Sequence, residues 1–142
     1  MLVFSVAPTL STNTESAGDV VSNQFSLPVG GQPIQLDSLS VFEKTDQGLD
    51  FDVYLFNSEY TALTLGSAFA PDDATAAKII SVISVASGDY SDVGGSRIAF
   101  KRSLNHIIFC PAGTVYGQLV IRGAGGTYSA ADALTLRFGL KE

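Results

Sequence analysis

Apolar side chains recur along this chain in short runs, mostly at every second position, and glycine, proline or aspartate soon interrupts each run. Period two is the signature of β-strands, whose successive side chains point to opposite faces. The runs predict strands at Leu2–Val6, Val20–Phe25, Pro33–Glu43, Leu49–Asn57, Ile80–Val85, Arg97–Arg102, Asn105–Cys110, Val115–Arg122 and Ala133–Leu140. The pieces PVGGQP, KTDQG, SGDYSDVGGS, PAGT and RGAGGTYSAAD read as turns. Short strands spaced by turn signals, with little helix, predict an all-β antiparallel sandwich. The 142 residues suit one domain, so residues 1–142 are expected to form a single β-sandwich.

Several runs also predict which side faces inward. In ALTLRFGLKE, Leu134, Leu136, Phe138 and Leu140 share one face, and Thr135, Arg137 and Lys141 the other. In VYGQLVIRG, Val115, Leu119 and Ile121 point inward, opposite Tyr116, Gln118 and Arg122. RIAFKRS places Ile98 and Phe100 inward, against Arg97, Ala99 and Lys101. One segment breaks the rhythm. APDDATAAKII offers Asp72 or Asp73 as a cap before an alanine-rich stretch, which predicts one short helix over Asp73–Ile79. Ile80, Val82 and Val85 cannot share one strand face, so a bulge or mixed boundary is expected there.

LDFDVYLFN is apolar on both sides: Phe51, Val53 and Leu55 point one way, Tyr54 and Phe56 the other. Such a strand needs a cover on each face. The loop 58–79, with Tyr60, Leu63, Leu65 and Phe69, is the expected cover for Tyr54 and Phe56; a neighbouring subunit is the alternative.

Composition sharpens this question. Hydrophobic residues make up 46% of the chain and charged residues 15%, against roughly 25% charged in soluble domains. Either sister subunits or a larger assembly cover part of the exterior, or Ser, Thr, Asn and Gly dress it. The net charge of −6, with no basic cluster, argues against nucleic acid and against an anionic membrane surface. Cys110 is alone, so no intrachain disulfide forms. MLVFSVAP has no basic n-region and too short an apolar run for a signal peptide, which predicts cytosolic synthesis without a cleaved leader.

Candidate chemistry is sparse. His106 is the one histidine, and a strand would hold it about 13 Å from Cys110, too far for direct proton transfer. Asp50 with Asp52, and Asp89 with Asp92, are a thin basis for calcium, because aspartate also favours turns for its own backbone reasons. The glycine stretches VGGS and GAGGTY open no predicted helix and lack a following Gly-Lys pair, so they read as turns. A sugar platform would fall to exposed tyrosines such as Tyr90 and Tyr128, tryptophan being absent. No catalytic residue, metal or cofactor is expected.

From Leu39 to Leu140 the chain resembles the small virion proteins of tailed bacteriophages. The resemblance is carried by an ordered string. DVYLF at Asp52–Phe56 leads to a loop with Ala68-Phe69 and the Asp72-Asp73 turn, then VASGDYSDVGG and finally VYGQLVIRGAGGTYSAADALTLRFGL. It implies a jelly-roll decoration or cement protein on the capsid exterior, synthesised in the host cytoplasm. It further implies a homo-oligomer, dimer or trimer, bound to the major capsid protein lattice, and no catalysis. A carbohydrate- or host-surface-binding sandwich and a neck or tail protein are the alternatives, with a small hydrolase behind them. Leu2, Val3, Phe4 and Val6 in the uncharged opening are candidate partner contacts. They form either a core edge strand or an arm that adds to a neighbour's sheet.

Overall fold

The computed structural model describes residues 2–123 and 126–142. Met1 of the opening run and residues 124 and 125 of the RGAGGTYSAAD turn lie outside the described residues. Among the described residues the strands are β1 (Leu2–Val6), β2 (Phe25–Leu27), β3 (Ile34–Glu43), β4 (Phe51–Phe56), β5 (Ile79–Val85), β6 (Tyr90–Asp92), β7 (Arg97–Lys101), β8 (His106–Ile108), β9 (Val115–Ile121) and β10 (Leu134–Lys141), with one α-helix, α1 (Asp73–Ala76), and a single 3-10 turn at Ser87–Asp89.

Two antiparallel sheets face each other. One has the order β1-β10-β3-β7-β6, with β8 also pairing β3; the other has the order β2-β9-β4-β5. The pairing is nested: β1 with β10, β2 with β9, β3 with β7, β4 with β5. Successive pairs alternate between the sheets, so the chain is one long antiparallel ribbon rolled into a sandwich. This is the jelly roll. β7 and β8 lie end to end along the same side of β3, separated by an excursion that contains the positive-φ residues Ser103 and Asn105.

The inner faces meet in one cluster of buried side chains. Phe51, Val53, Leu55, Leu119 and Ile121 oppose Leu36, Leu39, Val41, Leu134, Leu136 and Phe138. The inward sets expected for β9 and β10 are observed. Gly117, in the middle of β9, has no side chain because Phe25 takes its place: a Cβ there would sit 2.4 Å from the Phe25 ring. The turn after β3 closes on Glu43. Its fully buried carboxylate accepts the Gln47 amide at 2.6 Å, the Gly48 amide at 2.7 Å and the Thr45 hydroxyl at 3.0 Å. Charge-assisted bonds of this kind offset the cost of burying the anion.

Four expectations need correction. The helix spans four residues and does not reach Ile79, although Asp72 caps it by accepting the Thr75 amide at 2.7 Å. Ile79 instead pairs with Phe56, so sheet pairing overrides local helix propensity. β2 begins where the Val20–Phe25 strand was expected to end, and Leu10, Asp19, Val20 and Ser22 make isolated bridges. SGDYSDVGGS is more than a turn, because β6 pairs there with β7. Lastly, β7 is turned over. Ala99 is buried beside Val41 and Tyr90, while Phe100 points outward beside Ser40. Paired residues share a face, so with Val41 and Tyr90 inside only the small alanine can stand between them. The bulge expected near β5 is present, at Leu55/Phe56 of β4, where Leu55 pairs with Ser81 and Phe56 with Ile79.

Candidate interaction surface

Over β4 the outer face of the four-stranded sheet is covered by the chain itself, while Val82, outward on the edge strand β5, is 42% exposed. Tyr60 stacks on Phe56 with ring centroids 3.9 Å apart, and Phe69 packs on Tyr54 at 4.1 Å. The segment ahead of α1 is laced down by backbone bonds: Val20 N to Ser67 O and Gly66 N to Val20 O, both 2.8 Å, and Phe69 N to Gly18 O, 2.8 Å. Beneath it lies Gln118, fully buried and fully bonded. Its Oε1 accepts the Tyr60 hydroxyl at 3.0 Å and the Leu63 amide at 2.9 Å. Its Nε2 donates to Ser22 O at 3.1 Å and Leu63 O at 3.0 Å. Burial pushes the Tyr60 phenol up to about 12. The expected cover over Tyr54 and Phe56 is therefore intramolecular.

Among the described residues, none forms such a layer over the middle of the six-stranded sheet. Its outward side chains run in rows across the strands: Val3, Gly139 and Ser38 in one, then Ser5, Arg137, Ser40 and Phe100, then Thr135, Phe42 and Ile98. Glycine and serine at the centre leave a furrow of about 440 Å³ between Val3 on one bank and Phe100 on the other. Gly139 leaves room for the Ser38 hydroxyl, since a Cβ would meet Ser38 Oγ at 2.3 Å and make that side chain turn away. Val3 is 62% exposed and Phe100 56%, and Ile107, further along the same strand line, is 80% exposed. The Arg102 guanidinium lies 5.3 Å from the centre of the Phe100 ring, a cation–π distance.

Charge in the furrow is uneven. Asp37 is neutralised by Lys141 at 2.8 Å and Lys101 by Asp89 at 2.8 Å. Among the described residues Arg102 and Arg137 take part in no ion pair, and both line the furrow. A net acidic protein thus shows two unneutralised guanidiniums in one depression.

β1 forms the bank and edge of this sheet. Phe4 and Val6 pack against the core, Leu2 stands in register with Leu140 near the sheet's end, and Val3 turns outward to the furrow. Of the two readings of the opening run, the edge strand is the one observed.

The remaining candidates are engaged elsewhere. Asp52 accepts the Ser84 hydroxyl at 2.6 Å and lies 3.3 Å from Arg122; Asp50 accepts the Ser87 amide. Asp89 accepts the Ala86 amide at 2.9 Å, and Asp92 the Gly94 amide at 2.7 Å. No three metal-ligating side chains converge among the described residues. Tyr128 is buried, and Tyr90 donates its hydroxyl to Leu49 O at 3.1 Å, so neither offers an exposed sugar platform. Cys110 is buried, its Sγ 2.9 Å from Asn57 O and 2.8 Å from Thr114 O.

One juxtaposition escaped the sequence. His106 Nδ1 lies 2.6 Å from Ser81 Oγ, joining β8 of one sheet to β5 of the other. Ser81 is only 6% exposed. The hydrogen bond ties the two sheets together. The signal was the parity of His106 with Ile108, which turns it inward; its partner 25 residues away was not readable.

No family model and no curated protein matches the chain. Solved structures of similar shape include the subviral particle of infectious bursal disease virus VP2 (15% identity, TM-score 0.39, 96% of this chain but 32% of that one). Others are desmodium yellow mottle tymovirus (12%, 0.31, 98% and 78%) and the K3 cleaved adhesin domain of Lys-gingipain from Porphyromonas gingivalis (14%, 0.30, 99% and 74%). The chain spans about a third of the VP2 chain. The jelly-roll assignment rests on the strand order and not on these likenesses.

Proposed function

We propose that this protein is a structural subunit of a tailed-bacteriophage virion, a decoration or cement protein on the capsid exterior. In this reading residues 1–142 act as one sandwich unit, self-associate as a dimer or trimer, and bind the lattice of the major capsid protein. The observation that carries it is the bare outer face of the six-stranded sheet, with Val3, Phe100 and Ile107 in water. The ordered string of motifs from Leu39 to Leu140 supports the virion assignment, and the low content of charged residues suits a surface meant to be covered. A cement subunit binds the assembled lattice and not its free subunits, so its binding energy becomes shell stability. Leu2 and Val3, at the exposed edge, are the contacts proposed from the opening run; Phe4 and Val6 hold that edge in place.

The test is co-sedimentation of purified protein with mature capsids of its phage, together with sedimentation equilibrium of the protein alone. Saturable binding at a fixed number of copies per capsid and a discrete oligomer are the expected results. A monomer that leaves the capsids bare overturns the reading.

A further inference from the structure

We infer that the furrow on the six-stranded sheet is a docking slot for an acidic segment of a partner protein, its carboxylates received by Arg102 and Arg137 and its apolar side chains by Phe100 and Val3. The inference deepens the proposed function by naming what the bare face takes, and it rests on that reading only for the partner's location on a shell.

Charge complementarity selects the occupant. The chain carries 14 acidic and 8 basic side chains, and the five ion pairs account for Lys44, Arg97, Lys101, Arg122 and Lys141. Two of the basic groups outside these pairs stand in the same depression, where the one lining carboxylate, Asp37, is already held by Lys141. The furrow is therefore positive on a negative protein. Guanidinium presents a planar fork that matches a carboxylate, and stacking on Phe100 holds the Arg102 fork away from the floor. The floor itself is small and hydroxylated, with Ser38, Ser40 and Gly139, so a partner's backbone can approach closely and find hydroxyl donors. Apolar banks on both sides suit a segment that alternates acidic and apolar residues.

The experiment uses the full-length protein and a fluorescein-labelled peptide of alternating glutamate and valine, with a lysine-for-glutamate peptide and an oligogalacturonate as competing probes. Anisotropy titration at low salt gives affinity, and amide chemical shifts map the location. Saturable binding of the acidic peptide, with shifts at Ser38, Ser40 and Gly139, is expected. The double substitution Arg102→Ala and Arg137→Ala should weaken it about tenfold or more, and added salt should weaken it further. Both arginines are exposed or at the rim, so circular dichroism of the double variant should match wild type. Equal binding of the lysine peptide, unchanged affinity of the folded double variant, shifts elsewhere, or binding of the oligogalacturonate in place of the peptide each overturns the proposal. Wild-type protein that binds the peptide but leaves capsids bare sinks the virion reading and keeps the slot. A folded double variant that still coats capsids but has lost nothing in the peptide titration sinks the slot and keeps the virion reading.

Discussion

The two outer faces of this sandwich solve the same problem in opposite ways. On the four-stranded sheet, Tyr54 and Phe56 are apolar outward residues, and the chain folds Tyr60 and Phe69 back over them. On the six-stranded sheet, Val3, Phe100 and Ile107 are equally apolar and equally outward, and the chain leaves them in water. Intramolecular cover needs a long connection with its own aromatic residues, which the stretch between β4 and β5 supplies. An apolar face that a fold covers contributes to stability; one that it leaves bare contributes to association.

The widest separation between the faces should appear in paired truncations. Phe56→Ala removes a fully buried ring under Tyr60 and should cost about 3–5 kcal/mol in urea unfolding. Phe100→Ala, on the bare face, should change stability by less than about 0.5 kcal/mol. Similar costs for the two would mean that the faces are not different in kind.

Gln118 sharpens the contrast next. Its amide is the polar pin between β9 and the covering loop, and Gln118→Leu strands the Tyr60 hydroxyl, the Leu63 amide and two carbonyls. Each buried group left unpaired costs on the order of 1–3 kcal/mol, with part recovered by relaxation of the loop. We expect a loss of roughly 2–4 kcal/mol by the same principle, with faster amide exchange confined to residues 58–69. Uniform exchange changes over both sheets would show that the loop is not a separable cover.

The covered face should also respond to alkali. Tyr60 is raised from 10.0 to about 12 by burial, so the folded protein holds this proton more tightly than the unfolded chain. The resulting stability is fully present below pH 10 and is lost as pH rises through about 12. Tyr90 and Tyr128 are raised as well, so Tyr60→Phe should flatten the alkaline decline without abolishing it. Chemical unfolding at intervals between pH 9 and 12 measures the slope, and an unchanged slope in the variant removes Tyr60 from the account.

How much of this was legible in the sequence follows from what each residue's position depends on. The strands and the inward sets of β9 and β10 were readable because alternation over Leu134, Leu136, Phe138 and Leu140 admits one register. The cover over β4 was readable because an apolar strand face demands a partner and Tyr60 and Phe69 lay in the next connection. β7 misled because hydrophobicity alone ranks Ile98 and Phe100 above Ala99, whereas the available volume beside Tyr90 and Val41 decides the facing. The furrow was illegible for a related reason. Gly139, Ser38, Phe100 and Arg102 come from three strands and the end of one, and only pairing register brings them together. Glu43 was equally hidden, since its role depends on amides donated by a turn rather than on any motif.

The smallest effect on folding should be the most telling for association. Val3→Ser with Phe100→Ser removes the apolar banks of the furrow while leaving the inward set of β1 and β7 untouched. Exposed apolar side chains make few native contacts, so unfolding free energy should move by less than about 0.5 kcal/mol. Their removal should nonetheless reduce self-association or capsid binding, because the centre of an interface draws most of its energy from a few buried apolar anchors. Sedimentation velocity of the variant, run beside Tyr54→Ser on the covered face, isolates the difference. Tyr54→Ser should destabilise without changing association, and the bare-face variant should do the reverse. If both variants lose stability alike and associate alike, the outward apolar residues of the two sheets play one role and not two.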